Sequence, residues 1–268
     1  MKGLGWSRCL EGALCAAADA GFAYPPLEAE SRVIGGTVAS QGQIPWQVAL
    51  VLDGSGFCGG SLISSTYVLT AAHCTAGITS FQVTLGASNI QTSQTGTVVQ
   101  TTRNKIQHAS YNPSTINNDI ALLRLSTAVS STSYIRTIRL PRSSQASNTF
   151  QGSTAIVSGF GRTSGTSGIS PSLRYASLTV ISNTNCALYF GNSINSYKVC
   201  TTGASGRSPC NGDSGGPLFI TDSDGSYTQI GLVSFGSNGC LASYPAVFTR
   251  LTSYLSWISS NTGIAIQA

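Results

Sequence analysis

Gly212-Asp213-Ser214-Gly215-Gly216-Pro217 is the stretch from which the fold can be argued. A serine between glycines in a tight turn exposes its hydroxyl and leaves neighbouring backbone N–H groups uncovered. An acyl-transfer nucleophile with an oxyanion site needs both features. An ordinary Gly-Ser turn ahead of a strand is spelled the same way, so the decision passes to the base that would take the hydroxyl proton. Only two histidines occur, His73 and His108. His73 stands in Thr70-Ala71-Ala72-His73-Cys74, at the end of an apolar run and beside a cysteine, where a buried element positions it. His108, in Ile106-Gln107-His108-Ala109-Ser110, reads as an exposed loop residue. His73 is therefore the candidate base.

An imidazole base needs a carboxylate that holds its tautomer and stabilises the imidazolium. Beyond residue 33 the acids are Asp53, Asp119, Asp213, Asp222 and Asp224. Asp53, Asp222 and Asp224 lie in turn sequences, where aspartate is common. Asp119 instead heads the apolar run Ile120-Ala121-Leu122-Leu123, where a partly buried carboxylate needs a partner, and it is assigned to His73. The chain order is then His, Asp, Ser. The Gly-x-Ser-x-Gly elbow of α/β-hydrolases demands Ser, Asp, His, and no histidine follows Ser214. A subtilisin-type order built on Asp53 would require alternating helices and parallel strands. The remaining order is that of the chymotrypsin template.

The rest of the chain agrees. From residue 33 on, short apolar or alternating runs are separated by Gly, Ser, Asn and Pro, at 48–52, 67–71, 81–85, 120–125, 154–157, 177–181, 217–220, 229–234 and 246–249. Their length and β-branching argue an all-β sandwich or barrel. One helix is expected, at the C-terminus, with Thr252 as its cap and Tyr254, Leu255, Trp257 and Ile258 on one face. Residues 138–144 read as a linker near the middle of the chain.

Composition narrows the function classes. Of 268 residues 41% are hydrophobic, too many for a chain kept open by charge. No apolar run approaches the roughly 18 residues of a membrane span. Charged residues make up 9%, against about 25% in an average globular protein. The net charge of +5 is scattered, with no basic cluster of the kind that binds nucleic acid or an anionic membrane. Eight cysteines without a C-x-x-C pair, and with only two histidines, fit disulfides in an oxidising compartment better than zinc. Sequence alone leaves 105 pairings for eight cysteines. Residues 1–32 carry an apolar run, 13–18, that ends in small residues, and read as a signal or propeptide segment.

Arg32-Val33-Ile34-Gly35-Gly36, Thr70-Ala71-Ala72-His73-Cys74, Asp119-Ile120-Ala121-Leu122-Leu123 and Gly212-Asp213-Ser214-Gly215-Gly216-Pro217 occur in this order. On these motifs, which span residues 32 to 268, the sequence resembles the trypsin/chymotrypsin-like serine proteases (S1 family), in particular the invertebrate digestive chymotrypsin-like and brachyurin-type enzymes. The resemblance implies two six-stranded antiparallel Greek-key barrels with a C-terminal helix, 33–140 and 141–268, together one peptidase domain. It implies a secreted serine endopeptidase made as a zymogen: a trypsin-like protease cleaves after Arg32, and the new Val33 amine pairs with Asp213. Ser214 attacks, His73 is base and then acid, Asp119 orients it, and the Gly212 and Ser214 N–H groups form the oxyanion hole. The implied disulfides are Cys58–Cys74, Cys186–Cys200 and Cys210–Cys240; Cys9 and Cys15 are left over.

The resemblance also locates the substrate-binding residues Ser208, Ser234, Phe235, Gly236 and Ala246. Ser208 stands at the pocket base where trypsins carry Asp, so a Lys or Arg side chain would be buried without a counterion. Gly236 leaves the wall open, and the Ala246 methyl makes the pocket shallower. Arg207, beside the base, is expected to turn to solvent. These features imply cleavage after Tyr, Phe or Leu, with Ser234-Phe235-Gly236 pairing with substrate backbone. The stretch 86–96 lacks the acidic ligands of a calcium loop, so neither metal nor cofactor is expected. Partners are protein or peptide substrates, the activating protease and protein inhibitors, for a monomer that acts outside the cell, in the gut lumen. The alternative is a non-catalytic homologue of the family that binds or regulates.

Overall fold

A computed structural model describes residues 34–164, 167–203 and 206–268. In chain order the strands are β1 (Thr37–Val38), β2 (Gln47–Leu52), β3 (Gly56–Leu62), β4 (Tyr67–Thr70), β5 (Phe81–Leu85), β6 (Val98–Thr102), β7 (Lys105–Gln107), β8 (Ala121–Arg124), β9 (Thr154–Gly159), β10 (Arg174–Ile181), β11 (Lys198–Thr201), β12 (Pro217–Thr221), β13 (Tyr227–Phe235) and β14 (Ala246–Arg250). Helix α1 (Asn183–Phe190) lies between β10 and β11, and α2 (Leu255–Thr262) ends the fold.

All strand pairings within the two sheets are antiparallel. The second half of the chain forms the order β10-β11-β14-β13-β12-β9, closed into a barrel by β9 pairing with β10, and β1 adds to β10. The first half forms the curled order β6-β5-β2-β3-β4-β8-β7. Its two edge strands are consecutive in the chain, joined through Arg103-Asn104, and the Arg124 N–H donates to the Asn104 carbonyl at 2.9 Å. The fold is thus mostly β and chymotrypsin-like, with one closed barrel and one curled sheet of seven short segments among the described residues.

Side-chain alternation explains which faces are buried. In β5, Phe81, Val83 and Leu85 enter the first sheet's interior while Gln82 and Thr84 point outward. In β10, Ala176, Leu178 and Val180 fill the barrel interior and Ser177 and Thr179 face away. Fully burying each such Val, Leu or Phe contributes about 1.5–3 kcal/mol. Strands at the seam between the sheets lose the alternation because both faces are covered. In β2, Val48 and Leu50 point inward, and Ala49 joins Leu69, Ile120, Leu122, Phe160, Phe219 and Leu232 in a third cluster. Buried polar pairs also cross the seam: Ser158 Oγ donates to Gln47 Oε1 at 2.6 Å, and Ser61 Oγ to Gln229 Oε1 at 2.7 Å.

Several elements differ from the sequence reading. Strand β3 is Gly-rich and gives no strand signal, yet it lies centrally between β2 and β4. Helix α1 is capped by Ser182, whose hydroxyl accepts from the Asn185 N–H at 3.1 Å, but it buries only Cys186 and so has no apolar stripe. The terminal helix begins at Leu255 behind Tyr254, with no side-chain cap. Thr252, expected to cap it, lies in a preceding 3-10 turn. Disulfides join Cys58 to Cys74, Cys186 to Cys200 and Cys210 to Cys240, across separations of 16, 14 and 30 residues. Loops of this size contribute about 3 kcal/mol each through unfolded-chain entropy. Residues 1–32, with Cys9, Cys15 and Arg32, and also Val33, lie outside the described residues.

Candidate active site

The site forms where the seam opens at one end. β4 ends at Thr70, and residues 72–74 make a 3-10 turn in which Ala72 and Cys74 are buried and the His73 ring, 29% exposed, projects outward. Asp119 precedes β8 and is wholly buried. Its Oδ1 accepts the His73 backbone N–H at 2.9 Å, and its Oδ2 lies 2.9 Å from His73 Nδ1. An ionised carboxylate only accepts, so Nδ1 carries a proton, and in the neutral ring Nε2 is the nitrogen with the free lone pair. Burial alone would push the Asp119 carboxyl up. The hydrogen bonds and charge of His73, with the Ser234 hydroxyl, outweigh it and hold the carboxyl below its ordinary value.

Two bonds to Asp119 escape the sequence reading, which places Ser234 only among the substrate-binding residues and gives Thr249 no role at the site. Ser234 Oγ donates to Oδ2 at 2.6 Å, and Thr249 Oγ1 donates to the Asp119 carbonyl at 2.8 Å. They stand 115 and 130 residues away in the chain, and no local signal marks either hydroxyl.

The turn before β12 carries Ser214 to the same place. Its carbonyl accepts the Gly59 N–H at 2.8 Å, tying it to β3. A Cβ on Gly215 would fall 2.2 Å from Thr70 Oγ1 and 2.9 Å from the Ala71 nitrogen, so only glycine lets this turn abut the strand that leads to His73. Gly212 has φ +97°, a conformation closed to most L residues. Neither the Gly212 nor the Ser214 N–H finds a protein acceptor among the described residues, whereas the Asp213 N–H between them donates to the Cys210 carbonyl at 2.9 Å. Two free amides on either side of an inward-turned one form a donor pair that can receive an anionic oxygen.

Asp213 is fully buried, and its carboxylate accepts the Gly161 N–H at 2.8 Å and the Cys210 N–H at 2.9 Å. Burial pushes its pKa up to about 6, only partly offset by these two bonds. The chain that follows Val33 pairs with residues ahead of this turn: the Ser208 N–H donates to the Ile34 carbonyl at 3.1 Å, and Arg207 Nε to the Gly35 carbonyl at 3.2 Å. Arg207 is exposed, as the sequence reading expected.

A cavity of about 280 Å³ opens beside Ser214, with Ser208, Cys210, Ser234, Phe235 and Gly236 in its lining and no charged side chain among the lining residues. Ser208 Oγ donates to the Pro209 carbonyl at 3.0 Å. Ala246, expected near the pocket base, is absent from the lining. Along β14 it alternates with Val247, so that it points with Phe248 into the barrel interior at 2% exposure. His108, expected as an exposed loop residue, is half-buried: it packs against the rings of Tyr254 and Trp257, at 5.6 and 5.4 Å. Its backbone N–H donates to the Ile120 carbonyl at 3.1 Å, but it makes no hydrogen bond to Asp119. Cys58, His73 and Cys74 bring possible metal-ligand atoms within 4.8 Å of one another, but the disulfide consumes both sulfurs. In the stretch 86–96 the Gln94 carboxamide oxygen accepts the Ser88 and Asn89 N–H groups at 2.8 and 2.9 Å, so a neutral side chain organises that loop.

Known proteins resemble the chain along most of its length. The family model described as Trypsin matches residues 33–258. Chymotrypsin of Phaedon cochleariae is 38% identical over 241 residues, covering 89% of this chain and 85% of that protein. Brachyurin of Leptuca pugilator is 38% identical over 234 residues, covering 87% and 99%. The solved structure of HL collagenase superposes with a TM-score of 0.78 at 38% identity, over 87% of this chain and 99% of that one. With the family model spanning both sheets and the site between them, the chain belongs to the trypsin family of S1 serine proteases and is a serine endopeptidase.

Proposed function

We propose that the protein is a secreted endopeptidase, made as a zymogen, that cleaves after Tyr, Phe or Leu by acylation and deacylation of Ser214. His73 Nε2 takes the Ser214 proton as the hydroxyl attacks the scissile carbonyl, then returns it to the leaving amine. Asp119 holds the tautomer and stabilises the imidazolium. The Gly212 and Ser214 N–H groups receive the oxyanion of each tetrahedral intermediate. The observation that carries this reading is the pair of hydrogen bonds from His73 to a wholly buried Asp119. Intact groups in all three roles speak against the non-catalytic alternative.

The P1 preference rests on the uncharged pocket beside Ser214. A Lys or Arg head group would enter it without a counterion, at a cost of several kcal/mol. Burying a Phe- or Leu-sized group contributes about 1.5–3 kcal/mol. Activation follows cleavage after Arg32 by a trypsin-like protease: the Val33 ammonium pairs with the buried Asp213 and fixes the turn that aims the oxyanion donors. The proximity of Ile34 and Gly35 to Ser208 and Arg207 supports this. The mature enzyme, 33–268, acts as a monomer on protein and peptide substrates in an oxidising extracellular space, the gut lumen by its resemblance to invertebrate digestive enzymes, and is held in check by protein inhibitors.

The test is a panel of chromogenic peptides that vary only P1, run on enzyme processed at Arg32, with Ser214→Ala as control. Hydrolysis after Tyr, Phe or Leu, abolished in the control, is the expected result. Preference for Arg overturns the pocket argument. Absence of all hydrolysis after correct processing overturns the catalytic assignment.

A further inference from the structure

Lys198 is a buried ammonium that the mechanism does not use. It opens β11 at 1% exposure, where an apolar side chain would avoid the cost of desolvating a charge. Nζ donates to the Ile116 carbonyl and lies 5.4 Å from the centroid of the Phe235 ring. Phe235, edge-on to Phe190 at 5.6 Å, belongs to the barrel and lines the pocket beside Ser214. Ile116 belongs to the loop that leads into Asp119 and the first sheet. One ammonium therefore ties the loop ahead of Asp119 to the strand that lines the pocket.

The loop it grips is strained. Ile116 and Asn118 have φ of +52° and +53°. A β-branched residue adopts such a conformation only where its surroundings over-determine it. The surroundings do so three times in succession. Lys198 holds the Ile116 carbonyl, Asn195 Nδ2 donates to Asn117 Oδ1 at 2.9 Å, and the Tyr254 hydroxyl donates to Asn118 Oδ1 at 3.0 Å. All three donors come from the second half of the chain. Asp119 does not need this support for its own placement, since His73, Ser234 and Thr249 hold it directly. The clamp acts instead on how Phe235, which lines the pocket, sits against the loop at Ile116.

We infer that Lys198 is a positioning residue that fixes the spacing between Ile116 and Phe235, and so governs recognition of the substrate residues that precede P1. The inference rests on the reading of this cleft as the peptide-binding site. A substrate that pairs with Ser234-Phe235-Gly236 as an added strand runs its upstream residues along Phe235. A substrate with only a P1 residue has no upstream residue to lie there.

The experiment compares Lys198→Met with wild type, both processed, on a blocked tyrosine ester and on a tetrapeptide p-nitroanilide with tyrosine at P1. Methionine keeps the stem's packing and removes the donor and the charge. The expected result is a fall of at least tenfold in kcat/KM for the tetrapeptide, about 1.4 kcal/mol, mostly in KM, with ester hydrolysis changed less than twofold. Equal losses on both substrates, or no loss on either, overturn the inference. Asn195→Ala breaks the neighbouring tie without entering the barrel interior, and it decides the matter if Lys198→Met does not fold. A tetrapeptide-selective loss of about threefold or more supports the clamp, and its absence overturns it. Wild-type enzyme that hydrolyses neither substrate overturns the catalytic reading itself, and the inference with it.

Discussion

The buried carboxylate of Asp119 receives two hydrogen bonds from one residue, His73, at 2.9 Å from its backbone N–H and 2.9 Å from its ring Nδ1. The first fixes where the carboxylate sits and the second fixes how the ring is turned, so placement and tautomer are set together. In Asp119→Asn the amide can turn its NH₂ toward Nδ1, which then accepts, and the proton moves to Nε2. We expect kcat to fall about 10⁴-fold with KM changed far less, measured on the best P1 substrate.

Gly212 combines φ +97° with close neighbours, since an added Cβ would meet Gly161 Cα at 3.0 Å and Ile169 Cγ2 at 3.1 Å. Gly212→Ala must rotate its N–H away from the oxyanion position or push those neighbours aside. Loss of one such donor lowers kcat about 10²–10³-fold. Steady-state kinetics with unchanged KM would show that the transition state, and not the substrate, lost the contact.

A Cβ on Gly236 meets nothing within 4 Å, although the residue lines the cavity of about 280 Å³. A side chain there has free space to occupy the pocket mouth. Gly236→Val is expected to abolish cleavage after Phe and Tyr, retain cleavage after Ala, and leave the unfolding midpoint unchanged. The P1 panel and a thermal melt check both parts.

Asp213 gives the fold a pH dependence whose sign can be worked out. Its pKa is raised from 3.8 to about 6, so the folded chain holds the proton more tightly than the unfolded one. Stability from this group is full below pH 3.8, declines as pH rises to about 6 and is flat above, a difference of about 3 kcal/mol. An uncleavable Arg32→Gln chain should lose stability over that window, and Asp213→Asn should flatten the slope. Cleavage at Arg32 should reverse it, because the Val33 ammonium favours the ionised carboxylate. Calorimetric melts from pH 4 to 8 on the three proteins test this. Asp119 acts oppositely: its pKa is lowered, so its contribution is present above pH 3.8 and lost as pH falls.

Much of the site was legible because the chain is so poor in charge. With five acids beyond residue 33 and two histidines, residue type and local context singled out His73, Asp119 and Ser214. Strands with one covered face, such as β5 and β10, showed themselves by alternation. Strand β3 did not, because its glycines answer to close approach: a Cβ on Gly60 would lie 2.8 Å from Val68 Cγ1, and one on Gly59 3.0 Å from Gly216 Cα. Helix α1 did not, because it buries a single residue.

By itself, then, the sequence determined the chemical inventory, its His, Asp, Ser order and the β character, since these depend on residue type and on neighbours a few positions apart. Tertiary structure decided which hydroxyls stabilise Asp119, that Ala246 faces the barrel interior and not the pocket, and that Lys198 bridges Ile116 and Phe235. Those outcomes depend on strands meeting across a seam buried from both sides. Partners more than a hundred residues apart are joined there, and no spacing along the chain encodes the contact.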